Sequence, residues 1–305
     1  MAVSVCNAVL VRRIVVLGIF FLSAYLLIRV CKTHQYLNVQ WLEVSTLKNA
    51  PSSLRCSVAD IEKRPTTVVL ATTNAAFLAL TENMLESIKR TGACPNITVI
   101  AEDEPSYQYL TKRKNSQPGL HVQKTHFEIT LSEHLVINSP MYNQFVNRRP
   151  GYILEFLEKG YDVLFVDSDT FWFKDPFKDF HGNFDIAMHN EKSYPNIAFC
   201  DGLAFYRCTE NTFQFVKAWV FLLEINKRNK MTTDQSIMNG LIAQEHIPGL
   251  RIKVLDPDSY PDGKLYFLTK DWREKHKKPT VLHLSFILGN SAKINKLRKV
   301  GLWLT

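Results

Sequence analysis

The chain has 305 residues, of which 46% are hydrophobic and 22% are charged, as in an ordinary folded globular protein. Its net charge is +8, but the basic residues are scattered and no zinc-finger or RNA-binding signature accompanies them, which argues against a nucleic-acid-binding protein. Six cysteines occur without a C-x-x-C pair, so a structural zinc site is also disfavoured.

An uncharged apolar run occupies residues 14–28, directly after Arg12 and Arg13. A helix over residues 14–30 would be about 25 Å long, slightly short of the roughly 30 Å core of an average bilayer. A short span suits the thinner membranes of the endoplasmic reticulum or Golgi. The alternative, a cleaved signal peptide, needs small residues after the run, and these are absent. We therefore predict an uncleaved anchor with a cytoplasmic N-terminus and a lumenal body.

This prediction divides the chain into four regions: a cytoplasmic tail (1–13), a transmembrane anchor (14–30), a stem (31–64) and a folded domain (65–305). The tripeptide Asn96-Ile97-Thr98 is an N-glycosylation sequon, which is consistent with a lumenal body.

Four cysteines of the body permit two disulfides in an oxidising lumen: Cys56, Cys94, Cys200 and Cys208. Cys200 and Cys208 bracket a predicted strand, and an extended run of that length spans roughly 25 Å. That distance is too long for a disulfide, so another pairing is expected if bridges form.

Predicted strands and helices alternate from residue 66 onwards. The strands cover residues 66–74, 97–103, 162–169, 184–190, 202–207, 252–256 and 280–284. The helices cover residues 80–92, 106–114, 152–160, 212–226 and 233–244. This alternation predicts an α/β fold with a mostly parallel sheet, helices on both faces, and a ligand at the carboxyl ends of the strands. Neither a G-x-G-x-x-G nor a P-loop motif occurs, which disfavours dinucleotide enzymes and P-loop NTPases.

The most informative segment is VLFVDSDTFWFKDPF at residues 163–177. An apolar strand delivers Asp167 and Asp169, two residues apart, to one side of its end. Two adjacent carboxylates repel each other beside a core, unless a divalent cation neutralises them. Carboxylate oxygens suit Mg²⁺ or Mn²⁺, which keep positions open for phosphate oxygens. The plainer interpretation, a polar turn at a strand end, is less consistent with the aromatic residues that follow.

Haloacid dehalogenase-type phosphatases also place D-x-D after an apolar strand, with the first aspartate as nucleophile. Their motif has Thr or Val two positions after the second aspartate, where this chain has Phe171. A phosphatase therefore remains the alternative from another enzyme class.

Further polar residues are candidates for the same site. Thr72, Thr73 and Asn74 follow the first strand, and Asp201-Gly202 precedes another strand as a turn or a sugar contact. Asp234 and Gln235 open a helix, where capping and a role beside the reacting sugar are both plausible. His283 ends an apolar strand, as a core residue or a third metal ligand. Downstream, Gly289 permits close approach of the backbone to a phosphate, and Lys293 offers positive charge.

Four segments together resemble the nucleotide-diphospho-sugar transferase family, which includes plant rhamnogalacturonan xylosyltransferases and extensin arabinosyltransferases. They are RRPGYILEFLEKGYDVLFVDSDTFWFKDPF (148–177), CDGLAFYR (200–207), TTDQSIMNG (232–240) and VLHLSFILGNSAKINKLRKVGLW (281–303). The resemblance covers roughly residues 66–303 and implies a GT-A fold, type II Golgi topology, a UDP-sugar or similar donor, a glycan or glycoprotein acceptor, and retention of anomeric configuration.

The resemblance also implies roles for individual residues. Asp167, Asp169 and His283 would bind Mn²⁺ or Mg²⁺. Thr72, Thr73 and Asn74 would line the nucleotide pocket, Arg149 would lie near the diphosphate or base, and Asp234 and Gln235 would lie beside the donor sugar. One departure is Cys200-Asp201-Gly202, where relatives often carry Asn-x-Gly or a small residue before the glycine. This departure concerns the preference for the sugar and not the fold.

We expect the metal and Lys293 to stabilise the leaving diphosphate. The identity of the nucleophile is left open, and Asp234 and Asp201 are candidates for groups that assist the transfer. A non-catalytic lumenal glycan-binding protein on the same fold is the third hypothesis, against which the D-x-D pair argues.

Overall fold

The structure, a computed structural model, describes residues 56–126, 135–191, 198–276 and 279–305. The predicted cytoplasmic tail, the transmembrane anchor and most of the predicted stem lie outside these residues. Among the residues that are described, no helix combines the length and apolar character needed to cross a bilayer.

Nine strands occur in the described residues: β1 Thr67–Thr73, β2 Asn96–Ala101, β3 Leu120–Lys124, β4 Asp162–Val166, β5 Thr170–Trp172, β6 Ile186–Asn190, β7 Phe199–Tyr206, β8 Ile252–Leu255 and β9 Val281–His283. The helices are Val58–Ile61, Leu78–Thr91, Glu104–Lys114, Pro140–Val146, Arg149–Glu158, Glu210–Ile225, Asp234–Ala243, Gly263–Leu268, Trp272–Lys275 and Asn290–Lys299.

Seven strands form one sheet in the order β3-β2-β1-β4-β7-β6-β8. Strands β3, β2, β1 and β4 run parallel, β7 is antiparallel to both neighbours, and β6 and β8 are parallel. The predicted α/β fold with a mostly parallel sheet is therefore confirmed. Strands β5 and β9 form a separate antiparallel pair at the carboxyl end of β4.

Both faces of the sheet are covered, which explains why its central strands are continuous apolar runs. In β4, Val163 and Phe165 belong to one core cluster, with residues of the Arg149–Glu158 and Glu210–Ile225 helices. Leu164 and Val166 belong to the opposite cluster, with residues of the Leu78–Thr91 helix. Side chains alternate between the two faces of a strand, so β4 needs apolar residues at every position up to Val166.

Several predicted boundaries were wrong near the site. The strand predicted over 162–169 ends at Val166, because the backbone turns at Asp167, where the Thr170 amide donates to the Asp167 carbonyl over 3.1 Å, and β5 begins after the turn. Strand β7 begins at Phe199, so Asp201 and Gly202 lie inside the strand and do not form a turn before it. The polar residue followed by glycine is typical of a turn, but pairing on the β4 side, where the Asp167 amide donates to the Gly202 carbonyl next to the Val166–Leu203 pair, overrides that local preference.

Strand β3 and the helices Pro140–Val146 and Asn290–Lys299 were not predicted. β3 lies at the edge of the sheet and its sequence, LHVQK, has little apolar character to mark it.

One disulfide is present among the described cysteines. It joins Cys56 to Cys94, while Cys200 and Cys208 are free thiols. The expectation that Cys200 and Cys208 do not pair with each other is confirmed, since the strand between them holds them apart.

Candidate active site

Two acidic residues and one histidine meet at the carboxyl end of β4. Asp167 follows β4, Asp169 precedes β5, and His283 ends β9, opposite Thr170 in the β5–β9 pair. His283 Nε2 lies 3.5 Å from Asp167 Oδ2 and 3.4 Å from Asp169 Oδ1. One ligand atom from each residue lies within 4.8 Å of the others, which is compact enough for a single cation. Two carboxylates and an imidazole suit Mn²⁺ or Mg²⁺.

Gly202 on β7 creates the space for this cluster. Its carbonyl accepts a hydrogen bond of 2.7 Å from the Asp167 amide, which fixes the turn after β4. A Cβ atom at position 202 would lie 2.3 Å from Asp167 Oδ2 and 2.6 Å from His283 Cε1. Only glycine therefore allows the carboxylate and the imidazole to lie together above β7.

The charges around the cluster keep its two carboxylates ionised. Burial by itself raises the pKa of Asp167, but Arg149 and His283 outweigh it and hold that pKa below its ordinary value. Burial acts in the same way on Asp169, where Lys293 and His283 hold the pKa low. Both carboxylates are therefore ionised at neutral pH. Burial lowers the pKa of His283, but Cys200 and the two aspartates together raise it well above its ordinary value, so a bound cation displaces a proton from the ring.

Arg149, the first residue of its helix, binds three carboxylates at once. Its guanidinium lies 2.8 Å from Asp167 Oδ1, 2.7 Å from Asp234 Oδ2 and 3.3 Å from Asp201 Oδ1. Burial and the neighbouring carboxylates raise the pKa of Asp201 well above its ordinary value, against the opposing effect of Arg149.

A cleft of about 310 Å³ opens beside Asp167 and Asp169. Lys293 lines it and its ammonium lies 2.5 Å from Asp169 Oδ2. Gly289 and Asn290 line it as well, at the start of the Asn290–Lys299 helix. The amide groups and dipole at a helix start favour an anion, so this wall of the cleft is suited to a phosphate. Gly289 has φ +82°, a conformation that favours glycine.

Of the three residues predicted to line the nucleotide pocket, one lines the cleft and two do not. Thr72 lines the cleft at the end of β1. Thr73 and Asn74 do not; both are fully buried. The Thr73 hydroxyl lies 2.7 Å from that of Thr81, and the Asn74 side chain accepts a hydrogen bond of 3.2 Å from the Phe77 amide. These two residues shape the turn after β1, which places Thr72.

Asp234 and Gln235 begin a helix, as predicted, and Thr233 caps it. Asp234 is buried against Arg149 and reaches the cleft only through it. The side-chain amide of Gln235 donates a hydrogen bond of 3.2 Å to Glu191 Oε2. The apolar part of the cleft wall was missed from the sequence, including Tyr142 and Phe145 on the Pro140–Val146 helix. Ser139-Pro140 is a helix-start signal that would have found it.

Comparison with known proteins assigns this site to a family. A profile of the nucleotide-diphospho-sugar transferase family matches residues 92–297. A UDP-D-xylose:L-fucose alpha-1,3-D-xylosyltransferase of Arabidopsis thaliana, MGP4, is 28% identical over 257 residues, covering 78% of this chain and 70% of the relative.

Two solved glycosyltransferases share the fold. GlyE of Streptococcus pneumoniae superimposes with a TM-score of 0.53 at 17% identity, over 78% of this chain and 61% of its own. The galactosyltransferase LgtC, solved with donor and acceptor sugar analogs, gives a TM-score of 0.51 at 11% identity, over 78% of this chain and 95% of its own. The family match confirms the resemblance seen in the sequence. The chain belongs to the nucleotide-diphospho-sugar transferase family and is a glycosyltransferase with a GT-A-like fold.

Proposed function

We propose that this protein transfers a sugar from a UDP-sugar to a glycan or glycoprotein acceptor, in a reaction that depends on Mn²⁺ or Mg²⁺ and retains the anomeric configuration. The observation that carries the proposal is the triad of Asp167, Asp169 and His283, whose two aspartates line the cleft. The relative named above acts on UDP-D-xylose and L-fucose, so these are the first donor and acceptor that we propose.

The residues of the site have different roles in binding the donor. Asp167, Asp169 and His283 would hold the cation, which when bound neutralises charge that develops on the leaving diphosphate. Lys293 and the start of the Asn290–Lys299 helix add positive potential on the same wall of the cleft. Arg149 holds Asp167 ionised and oriented through a contact of 2.8 Å.

The carboxylates of the cleft wall bear on how a retaining transfer would proceed. Among the described residues that line the cleft, the carboxylates are Asp167 and Asp169, both assigned to the cation. Asp201 and Asp234 are engaged by Arg149 and do not line the cleft. This arrangement favours attack of the acceptor hydroxyl on the face from which the diphosphate leaves, without a covalent intermediate on the protein.

The test is a panel of nucleotide sugars with the full-length chain in detergent, with and without Mn²⁺, measuring nucleotide release and transfer to fucosides. Asp169→Asn and EDTA should each abolish release, and circular dichroism should show that the variant still folds, although Lys293 loses its charged partner. Asp258→Asn, an exposed aspartate, is the matched control and should retain activity. Undiminished release by Asp169→Asn, or a phospho-aspartate trapped at Asp167, would contradict the proposal.

We also propose that the body lies in the Golgi lumen, on a single-pass type II anchor. The Cys56–Cys94 disulfide supports an oxidising compartment. Asn96 begins β2, at the end of the sheet opposite the cleft, where a glycan would leave the site open. We expect sealed microsomes to protect the body from protease. We also expect the protein to be sensitive to endoglycosidase, and Asn96→Gln to remove that sensitivity. Digestion of the body in intact microsomes would contradict this topology.

A further inference from the structure

The two ring nitrogens of His283 face different partners. Nε2 faces the carboxylates of Asp167 and Asp169 at 3.5 and 3.4 Å. Nδ1 faces the sulfur of Cys200 at 3.6 Å. His283 is 6% exposed and Cys200 is 3% exposed, so bulk water has little access to either group. Within the residues that the structure describes, the sulfur is the hydrogen-bond partner of Nδ1.

A neutral imidazole carries one proton, on one of its two nitrogens. If Nε2 binds a cation, the proton must lie on Nδ1, and the acceptor of that proton decides how firmly this tautomer and ring orientation are held. Metal-binding histidines usually donate to a carboxylate, a backbone carbonyl or water. Here the group in that position is a thiol, whose sulfur is a weak acceptor but lies within reach.

We propose that Cys200 is a positioning residue for the transfer reaction: its sulfur accepts the Nδ1–H of His283 and holds the ring with Nε2 directed at the cation. This inference rests on the metal-dependent function proposed above. Cys200 does not line the cleft, so it acts through His283 and does not touch the donor or the acceptor.

The strand geometry explains how Cys200 reaches the ring. Cys200 and Gly202 are two residues apart on β7, at a register shift in its pairing with β6, and both face the His283 ring. Cys200 meets the ring at Nδ1, and Gly202 leaves room for the adjacent Cε1 atom. Asp201, between them, lies on the other face and binds Arg149. Three consecutive residues of β7 thus support both the cation triad and the guanidinium group beside it.

The first experiment measures Mn²⁺ affinity of the full-length chain in detergent, by electron paramagnetic resonance without donor. Cys200→Ala should weaken Mn²⁺ binding about 10-fold, the lower end of the range for outer partners of metal ligands. Cys200→Ser, whose hydroxyl can accept the same proton, should recover most of that loss. Cys208→Ala removes the second free thiol of the described residues, beyond the end of the same strand, and should leave the affinity unchanged. Unfolding midpoints in EDTA separate lost affinity from lost folding.

A second measurement needs no substitution at Cys200. Nitrogen-15 NMR of histidine-labelled wild type with Mg²⁺, with His283→Asn to assign the ring, should show the proton on Nδ1. Equal Mn²⁺ affinity in the wild type and Cys200→Ala would overturn the positioning role while leaving metal dependence intact, whereas a proton on Nε2 would overturn the positioning role together with His283 as a metal ligand. Absence of Mn²⁺ and Mg²⁺ binding by the wild type would instead overturn both proposals.

Discussion

Gly202 and Asp167 are so close that no residue larger than glycine fits at position 202. A methyl carbon there would lie 2.3 Å from Asp167 Oδ2 and 2.6 Å from His283 Cε1. We predict that Gly202→Ala displaces two of the three cation ligands and lowers both Mn²⁺ affinity and nucleotide release by about 100-fold, the scale on which misplaced ligands reduce metal affinity. Binding by paramagnetic resonance and donor hydrolysis check this.

Gly240→Ala is the matched control for that substitution. Gly240 lies in the Asp234–Ala243 helix, and no atom lies within 4 Å of an added Cβ. Alanine should stabilise the helix by about 0.5–1 kcal/mol and leave turnover unchanged. Wild-type activity of Gly202→Ala would show that the cluster tolerates displacement, and would contradict the prediction.

Arg149→Met should destabilise the protein strongly, because it leaves Asp167, Asp201 and Asp234 without their shared cation. Removing one partner of a buried ion pair typically costs about 3–5 kcal/mol, which urea unfolding would measure. Adding Asp234→Asn to Arg149→Met removes one of the unpaired charges, so part of the stability should return. Strictly additive losses in this double-mutant cycle would show that the charges do not interact.

Reduction of the Cys56–Cys94 disulfide should lower stability. The bridge closes a segment with a sequence separation of 38. Loop-closure entropy for that length predicts a loss of about 4 kcal/mol at 25 °C. We expect dithiothreitol and the Cys56→Ser/Cys94→Ser variant to shift the urea midpoint equally, and Cys208→Ala to shift it little. Identical midpoints in oxidising and reducing buffer would exclude a stabilising role for the bridge.

The ion pair of Asp185 should contribute to the loss of stability of the folded protein in acid. Hydrogen bonds from the Arg251 side chain hold the pKa of Asp185 below its ordinary value, at contacts of 2.7 and 2.9 Å. Its unfolded pKa is about 3.9, so the stabilisation is complete above that pH and is lost as pH falls below it. Asp185→Asn should cost about 1–3 kcal/mol at pH 7.

The difference between wild type and Asp185→Asn should shrink when urea unfolding is repeated at pH 3. Asp258→Asn, at an exposed position, should differ from wild type by less than about 0.5 kcal/mol at both pH values. A difference between wild type and Asp185→Asn that does not change with pH would contradict the assigned ionisation.

The elements with strong local signals were predicted from the sequence. The strands that became β1, β2 and β4 are apolar on both faces, and helices such as Asp234–Ala243 carry their own caps. Weak signals failed: β3 is a polar edge strand, and Asp201-Gly202 is typical of a turn although it lies in β7. These segments take their conformation from pairing with neighbouring strands, which a local pattern does not contain.

The sequence by itself determined that two carboxylates stand at the end of a buried strand, because the apolar run of β4 stops directly before Asp167, and Asp169 follows two residues later. It also determined the family, through four ordered segments. Tertiary structure decided the remainder: the pairing of β5 with β9 that brings His283 to Asp169, the shared contact of Arg149 with three carboxylates, and the sulfur of Cys200 beside Nδ1. These contacts join residues far apart in the chain, and their geometry follows from strand register and packing, which no periodicity in the sequence encodes.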